Sequence, residues 1–269
     1  PYVRRNKTDR ADAAGLLEAA RCGDIRPVPV KTPEQQGTQG LHRIREHHKA
    51  QRTAAINTVR GLLREFGFAF PAGADMVRPA TLAALEDGDN DTPMALRHAL
   101  AGLLDQIVAC QEAMAAIEKQ LADIAKLDTR CQRLMAASGV GLITATALSA
   151  GIGDFARFPS GRHFASALGL TPREYSSGGT RKLGRITKQG DVFLRTLLIH
   201  GARSALIVAA TARKRGQPLD RTQQWALALA ERKGHNKAAV ALANKVARRL
   251  WASEHHGTSF DPEHISRRE

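Results

Sequence analysis

Nine apolar residues, Leu96, Leu100, Leu103, Ile107, Cys110, Met114, Ile117, Leu121 and Ile124, recur in alternating steps of four and three. That period keeps one stripe of a long α-helix apolar and does not suit a strand, whose faces alternate every second residue. Such a seam has to be covered by another helix. Upstream, Leu41, Ile44, His48, Ala55, Val59, Leu62 and Phe66 keep a looser version of the same register, on a helix expected to start near Thr32 and Pro33, where proline suits the first turn. Gly67–Gly73 and Glu86–Pro93 are rich in Gly, Pro and Asp and read as breaks. The expected unit is an antiparallel helical hairpin. Charged residues around the seam favour a coiled-coil partner and hence dimerisation; a hairpin closed on itself is the alternative, because a seam does not say which helix fills it.

The chain has 269 residues, enough for one large or two ordinary domains with a core of their own. Aromatic residues are 4% and alanine is abundant, which argues for packed helices over sheets. Lys plus Arg number 40 against 26 for Asp plus Glu, a formal charge of +14. The natural partner of so basic a chain is an acidic polymer, with nucleic acid first. The charge is also divided: net +7 over residues 1–64, −6 over 75–128 and +8 over 171–215. The basic blocks are expected to face phosphates and the acidic block water or protein. Cys22, Cys110 and Cys131 are odd in number and lack zinc spacing, so they read as reduced, buried thiols. No apolar run approaches the roughly 18 residues that span a bilayer, so no membrane partner and a cytoplasmic location are expected. The chain opens with Pro1 without a leader pattern, and it reads as a fragment. Asp191–Arg213 and Asn236–Trp251 fit long Ala-rich helices, and the polar tail from Glu254 is expected to fray.

Three segments carry residues suited to chemistry. In Lys7-Thr8-Asp9-Arg10-Ala11-Asp12-Ala13, Asp9 and Asp12 stand at i and i+3 of a helix and can offer two carboxylates to one Mg²⁺, or Mn²⁺. The same acids could merely offset the helix dipole. In Ser138-Gly139-Val140-Gly141-Leu142, Gly139 and Gly141 flank a tight turn ahead of an apolar helix, as in a helix-hairpin-helix element that holds phosphates through backbone amides. Between Gly169 and Gly190, Ser176 and Ser177 precede Gly178-Gly179 on flexible, exposed backbone, surrounded by Arg181, Lys182, Arg185 and Lys188. That environment suits a serine nucleophile or a loop that only binds phosphates; no histidine nearby could activate it.

The order of these segments resembles the DEDD insertion-sequence transposases of the IS110 family and its IS1111 branch. Lys7–Ala13, continuing through Leu17–Arg21 and Val28–Lys31, resembles the last segment of that family's RuvC-like domain. Leu134–Ala202, with Gly139-Val140-Gly141, Ala167–Pro172, Ser176–Gly179 and Lys188-Gln189-Gly190, resembles its C-terminal transposase domain. The resemblance implies a mainly α chain. Its expected parts are the end of a RuvC-like α/β domain (1–31), a coiled-coil hairpin (32–128), a helical transposase domain with a helix-hairpin-helix-like element (129–253) and a polar tail (254–269). It implies a recombinase in which four acidic residues bind Mg²⁺, a serine attacks DNA, and an element-encoded structured RNA bridges donor and target. By motif match Asp9 and Asp12 are the third and fourth acids and Ser177 is the nucleophile, with Ser176 its rival. Gly139, Gly141, Arg181, Lys182, Arg185 and Lys188 would hold nucleic acid, and homo-oligomers would form through the coiled coil. The first two acids lie upstream in the family, so a chain truncated before Pro1 is expected to be inactive alone. The competing function is a non-catalytic, dimeric nucleic-acid-binding protein.

Overall fold

The computed structural model describes residues 8–23, 25, 28–258, 260 and 261. Among them are ten α-helices and one two-stranded sheet, so the chain is mainly α. Contacts divide it into residues 1–32 and 33–269.

In the first unit, α1 (Asp9–Arg21) starts where the Thr8 hydroxyl accepts the Ala11 N–H at 3.2 Å. None of its residues is buried, and Leu16 and Leu17 are exposed. Lys7 of the acidic motif lies outside the described residues.

The second unit opens with α2 (Pro33–Glu65), α3 (Val77–Glu86) and α4 (Met94–Leu127). Arg45 on α2 reaches Glu118 on α4 at 2.7 Å, and the Cys110 thiol approaches Gln51 at 3.9 Å. The pairing therefore runs antiparallel, as the sequence predicts. Leu100, Ile107, Cys110, Ile117 and Leu121 of the seam are buried. Ala55, Ile56, Val59 and Leu63 of α2 join Leu100, Leu104 and Ile107 in one apolar cluster. The seam is thus covered within the chain. Against the predicted register of α2, Ile44 is 49% exposed while Thr38 and His42 are buried. The reason is that the first half of α2 packs on α6 (Leu142–Ile152) as well as on α4.

The rest comprises α5 (Thr129–Met135), α6, a 3₁₀ turn (Phe155–Arg157), α7 (Gly161–Ala167), strands β1 (Pro172–Glu174) and β2 (Leu183–Ile186), α8 (Val192–Lys214), α9 (Arg221–Lys233) and α10 (His235–His256). Their core centres on Phe164, Leu148, Leu168, Leu198 and Leu250. Strands β1 and β2 form one small sheet within a mainly α fold, and the serine–glycine loop is built as its hairpin. The tail is also more ordered than expected up to His256, because the Glu254 side chain, 3% exposed, is held by Arg130 at 3.3 Å and Arg133 at 3.0 Å. Ser259 and residues 262–269 lie outside the described residues. Cys110 and Cys131 are buried free thiols and Cys22 is half-buried. Burial, aided by the Asp128 carboxylate, pushes the Cys131 thiol up to about 12.

Contrary to the sequence expectation, α4 and α8 are long and apolar enough on average to cross a membrane. In both, the buried apolar residues, such as Leu121 on α4 and Leu198 on α8, fill the helical cores.

Candidate nucleic-acid interface and serine hairpin

Strands β1 and β2 pair antiparallel, with Pro172 opposite Ile186 and Glu174 opposite Leu183 across a register irregularity. Tyr175 N–H extends the ladder to Lys182 O at 2.8 Å. At the tip, Ser177 and Thr180 exchange backbone hydrogen bonds of 3.3 and 3.0 Å. Between them Gly178 (φ 55°) and Gly179 (φ 79°) both take the left-handed region, the mirror-image two-residue turn whose twist matches a hairpin. The two glycines thus build a turn.

The root is packed backbone to backbone. A Cβ on Gly169 would meet the Gln189 oxygen at 2.1 Å, and one on Gly190 the Ala167 oxygen at 1.9 Å. Buried Arg195 donates to Leu168 O at 3.1 Å, and Asn244 from α10 donates to Leu170 O at the same distance. Lys188 (φ 57°) is the non-glycine residue with positive φ among those described, and its N–H donates to Gly169 O at 3.1 Å. A lysine held there is strained by about 1 kcal/mol.

The two serines differ. The Ser176 hydroxyl donates to Glu174 Oε1 at 2.6 Å and accepts the Lys182 N–H at 3.1 Å. The Ser177 hydroxyl makes no hydrogen bond among the described residues. Arg181, Lys182, Arg185 and Lys188 are all exposed, and the Arg181 guanidinium lies 3.7 Å from Glu174. Four cations and two hydroxyls therefore project from one anchored hairpin.

The Gly139 turn joins α5 to α6. Gly139 (φ 85°) faces α8, and a Cβ on it would lie 2.6 Å from the Gly201 oxygen. Gly141 is the N-cap of α6, has open space beside it and receives no side-chain cap. An open groove of about 680 Å³ at this turn is lined by Ser138, Gly139, Gly141, His200 and Ser204. Gly139 therefore has a packing role, and Gly141 leaves backbone N–H groups at a helix start.

Asp9 and Asp12 stand in the first turn of α1, and Thr8 takes the capping role. Neither has an ion pair among the described residues. No group of three or more His, Cys, Asp or Glu is gathered for a metal among those residues. Two free carboxylates on one helical face have the hard oxygen chemistry of a Mg²⁺ or Mn²⁺ ligand pair, and two are a partial set.

Sequence reasoning passed over Glu174, Arg195 and Asn244. A signal for the first was present: residues two apart on a strand share a face, which puts Glu174 beside Ser176. Arg195 and Asn244 are read only from the tertiary structure, since each acts on backbone far along the chain.

Two family models match separate stretches of the chain. A family model described as Transposase, of the DEDD type of IS110, matches residues 1–68. A second, Transposase IS116/IS110/IS902 family, matches residues 131–217. A protein of Pseudomonas aeruginosa described as a probable family 20 transposase is 42% identical over 97% of this chain and 76% of its own length. The transposase for insertion sequence element IS1111A of Coxiella burnetii is 40% identical over 94% of this chain and 68% of its own length. That for IS1328 of Yersinia enterocolitica is 33% identical over 97% of this chain and 75% of its own length. With relatives this similar along nearly its whole length, the chain belongs to the IS110-type insertion-sequence transposases, enzymes that cut and rejoin DNA.

Proposed function

We propose that the chain cuts and rejoins DNA through a serine of the β1–β2 hairpin, Ser177 by motif match with Ser176 as its rival. The observation that carries this reading is the hairpin itself: two hydroxyls at an exposed tip, four exposed cations around them and a root too tightly packed to yield. Attack of a serine oxygen on a phosphodiester forms a phosphoserine ester and releases a deoxyribose hydroxyl. Attack by a hydroxyl on that ester rejoins a strand without ATP, because the bond energy is kept in the ester. Arg181, Lys182, Arg185 and Lys188 would neutralise phosphates, while the amides following Gly139 and Gly141 would hold the backbone without reading sequence.

Asp9 and Asp12 would be two ligands of Mg²⁺, or Mn²⁺, with the remaining acids supplied by other residues. When bound, the ion stabilises negative charge on the reacting phosphate. The proposed partners are DNA, an element-encoded structured RNA and further copies of the chain, met in the cytoplasm where the DNA lies. Because α2 already covers the seam, copies would associate through the outer faces of the α2–α4 hairpin.

A strand-exchange assay with the full-length transposase, its element-end DNA and the RNA transcribed from the element tests the proposal. Loss of joined product in Asp12→Ala, and loss of the covalent protein–DNA adduct when both hairpin serines are alanine, are the expected results. An adduct that survives in Ser176→Ala/Ser177→Ala would remove the hairpin from the chemistry.

A further inference from the structure

We propose that the exposed face shared by α9 and α10 binds single-stranded nucleic acid, stacking an unpaired base on Trp225 and holding the flanking phosphates with Arg221, Lys245 and Arg249. The inference extends the nucleic-acid reading above, on which it rests, and is independent of which residue attacks the phosphate.

From Arg221 to Arg249 the sequence carries seven Lys and Arg against one acid, Glu231. That acid is already engaged by Arg213 of α8 at 2.6 Å. Gly234 (φ 86°) joins the two helices, which fold back on each other. Near the open end of the pair, Arg249 Nη1 donates to Thr222 Oγ1 at 2.6 Å, and Lys245 Nζ stands 4.2 Å from the centre of the Trp225 ring. On α9 the helical period puts Arg221, Trp225, Ala228 and Arg232 on one face, and all four are exposed. Cations therefore line an aromatic ring from both helices.

The cations are crowded. Burial, then the neighbouring Arg249 and Arg221, holds the Lys245 ammonium below its ordinary range, with Asp220 acting in the opposite sense. Asp220 is itself committed as the N-cap of α9, accepting the Gln223 N–H at 2.8 Å. Like charges gathered this closely repel, and an arriving phosphate relieves the repulsion.

The ring says which form of nucleic acid fits. A structural indole in this fold is well occupied: Trp251 Nε1 donates to Phe155 O and Phe158 O, both at 3.1 Å, and its ring stacks on His255. Trp225 is 37% exposed and makes no hydrogen bond among the described residues. The Lys245 ammonium fixes its orientation, and Ala228, one turn along the same face, leaves room beside it. A duplex keeps its bases stacked inside and shows such a surface only phosphates. An unpaired base has a free π-face, and stacking on an aromatic ring tolerates any sequence. A loop of structured RNA and a melted DNA strand share that chemistry.

Photo-cross-linking with the full-length transposase tests the inference. The probes are oligonucleotides of about 12 nucleotides carrying 5-iodouracil, which couples to a stacked aromatic ring on irradiation: one RNA, one single-stranded DNA and one DNA duplex. The cross-linked peptide is identified by mass spectrometry. Coupling at Trp225 with either single strand, and little with the duplex, is the expected result; RNA alone or DNA alone identifies the source of the base. Trp225→Ala should weaken single-strand binding at this face about 10-fold, seen as loss of the cross-link from the α9–α10 peptide. Trp225→Phe, which keeps a ring, should retain binding, a rescue that a packing role alone would not give to the cross-link. Lys245→Gln should lower the salt slope of single-strand affinity by about 0.7. Cross-links that map only outside α9 and α10 overturn the inference and leave the nucleic-acid reading standing, as does coupling at Trp225 that is equally strong with the duplex. Failure of all three probes to bind overturns both.

Discussion

The backbone of Gly201 on α8 lies so close to Gly139 that a Cβ built on it would sit 1.8 Å from the Gly139 carbonyl oxygen. This contact joins the turn between α5 and α6 to the middle of α8, and backbone cannot yield as a flexible side chain can. Gly201→Ala should therefore cost about 3 kcal/mol or more, read as a shift in the urea midpoint. Gly102, on α4 with open space beside it, is the control: Gly102→Ala should leave stability unchanged or raise it by up to about 1 kcal/mol.

His42 makes the unit sensitive to acid. The Thr146 hydroxyl donates to Leu142 O at 2.8 Å, so His42 Nε2 donates to Thr146 Oγ1 at 3.0 Å, and the buried Nδ1 has no partner among the described residues. Burial, reinforced by Arg45 and opposed by Glu46, pushes its pKa down to about 4 from 6.5. The folded value lies below the unfolded one, so the unfolded chain binds the proton first. Stability is full above about pH 7 and falls as pH drops from 6.5 toward 4, by about 2 kcal/mol. Urea midpoints between pH 7 and 4.5 should fall more steeply for the wild type than for His42→Gln.

Glu254 is 3% exposed at the side chain, whereas its partners Arg130 and Arg133 are 33% and 41% exposed. Removing the acid leaves two cations that water can reach; removing both cations leaves a buried, unpaired carboxylate. Glu254→Gln should cost about 1 kcal/mol and Arg130→Met/Arg133→Met about 3 kcal/mol, with thermal unfolding ranking the two.

For the hairpin cations, DNA affinity measured over a range of salt is decisive. Each of Arg181→Gln, Lys182→Gln, Arg185→Gln and Lys188→Gln should reduce the slope of log affinity against log salt by about one, to a similar degree on different sequences. Unchanged slopes in all four would place the phosphates elsewhere.

Much of this protein was legible from local pattern. The three–four spacing from Leu96 to Ile124 specified a helix and an apolar stripe, Pro33 marked the start of its partner, and the +14 charge pointed to nucleic acid. Periodicity and charge are properties of neighbouring residues, so they survive without a fold. The seam could not say what would cover it, and the answer, α2 of the same chain, depends on how residues 59 and 73 apart along the chain meet. In the same way the packing role of Gly139 is read only once α8 is seen against it. The pair Ser176-Ser177 is symmetrical on paper; the hairpin, which brings the Lys182 N–H to the Ser176 hydroxyl and is rooted by Gly169, Gly190, Arg195 and Asn244, makes the two hydroxyls unequal. Local sequence determined which elements form and what charge they carry. Tertiary packing decided which atoms come within bonding distance, because those distances depend on long-range contacts that no window of neighbouring residues contains.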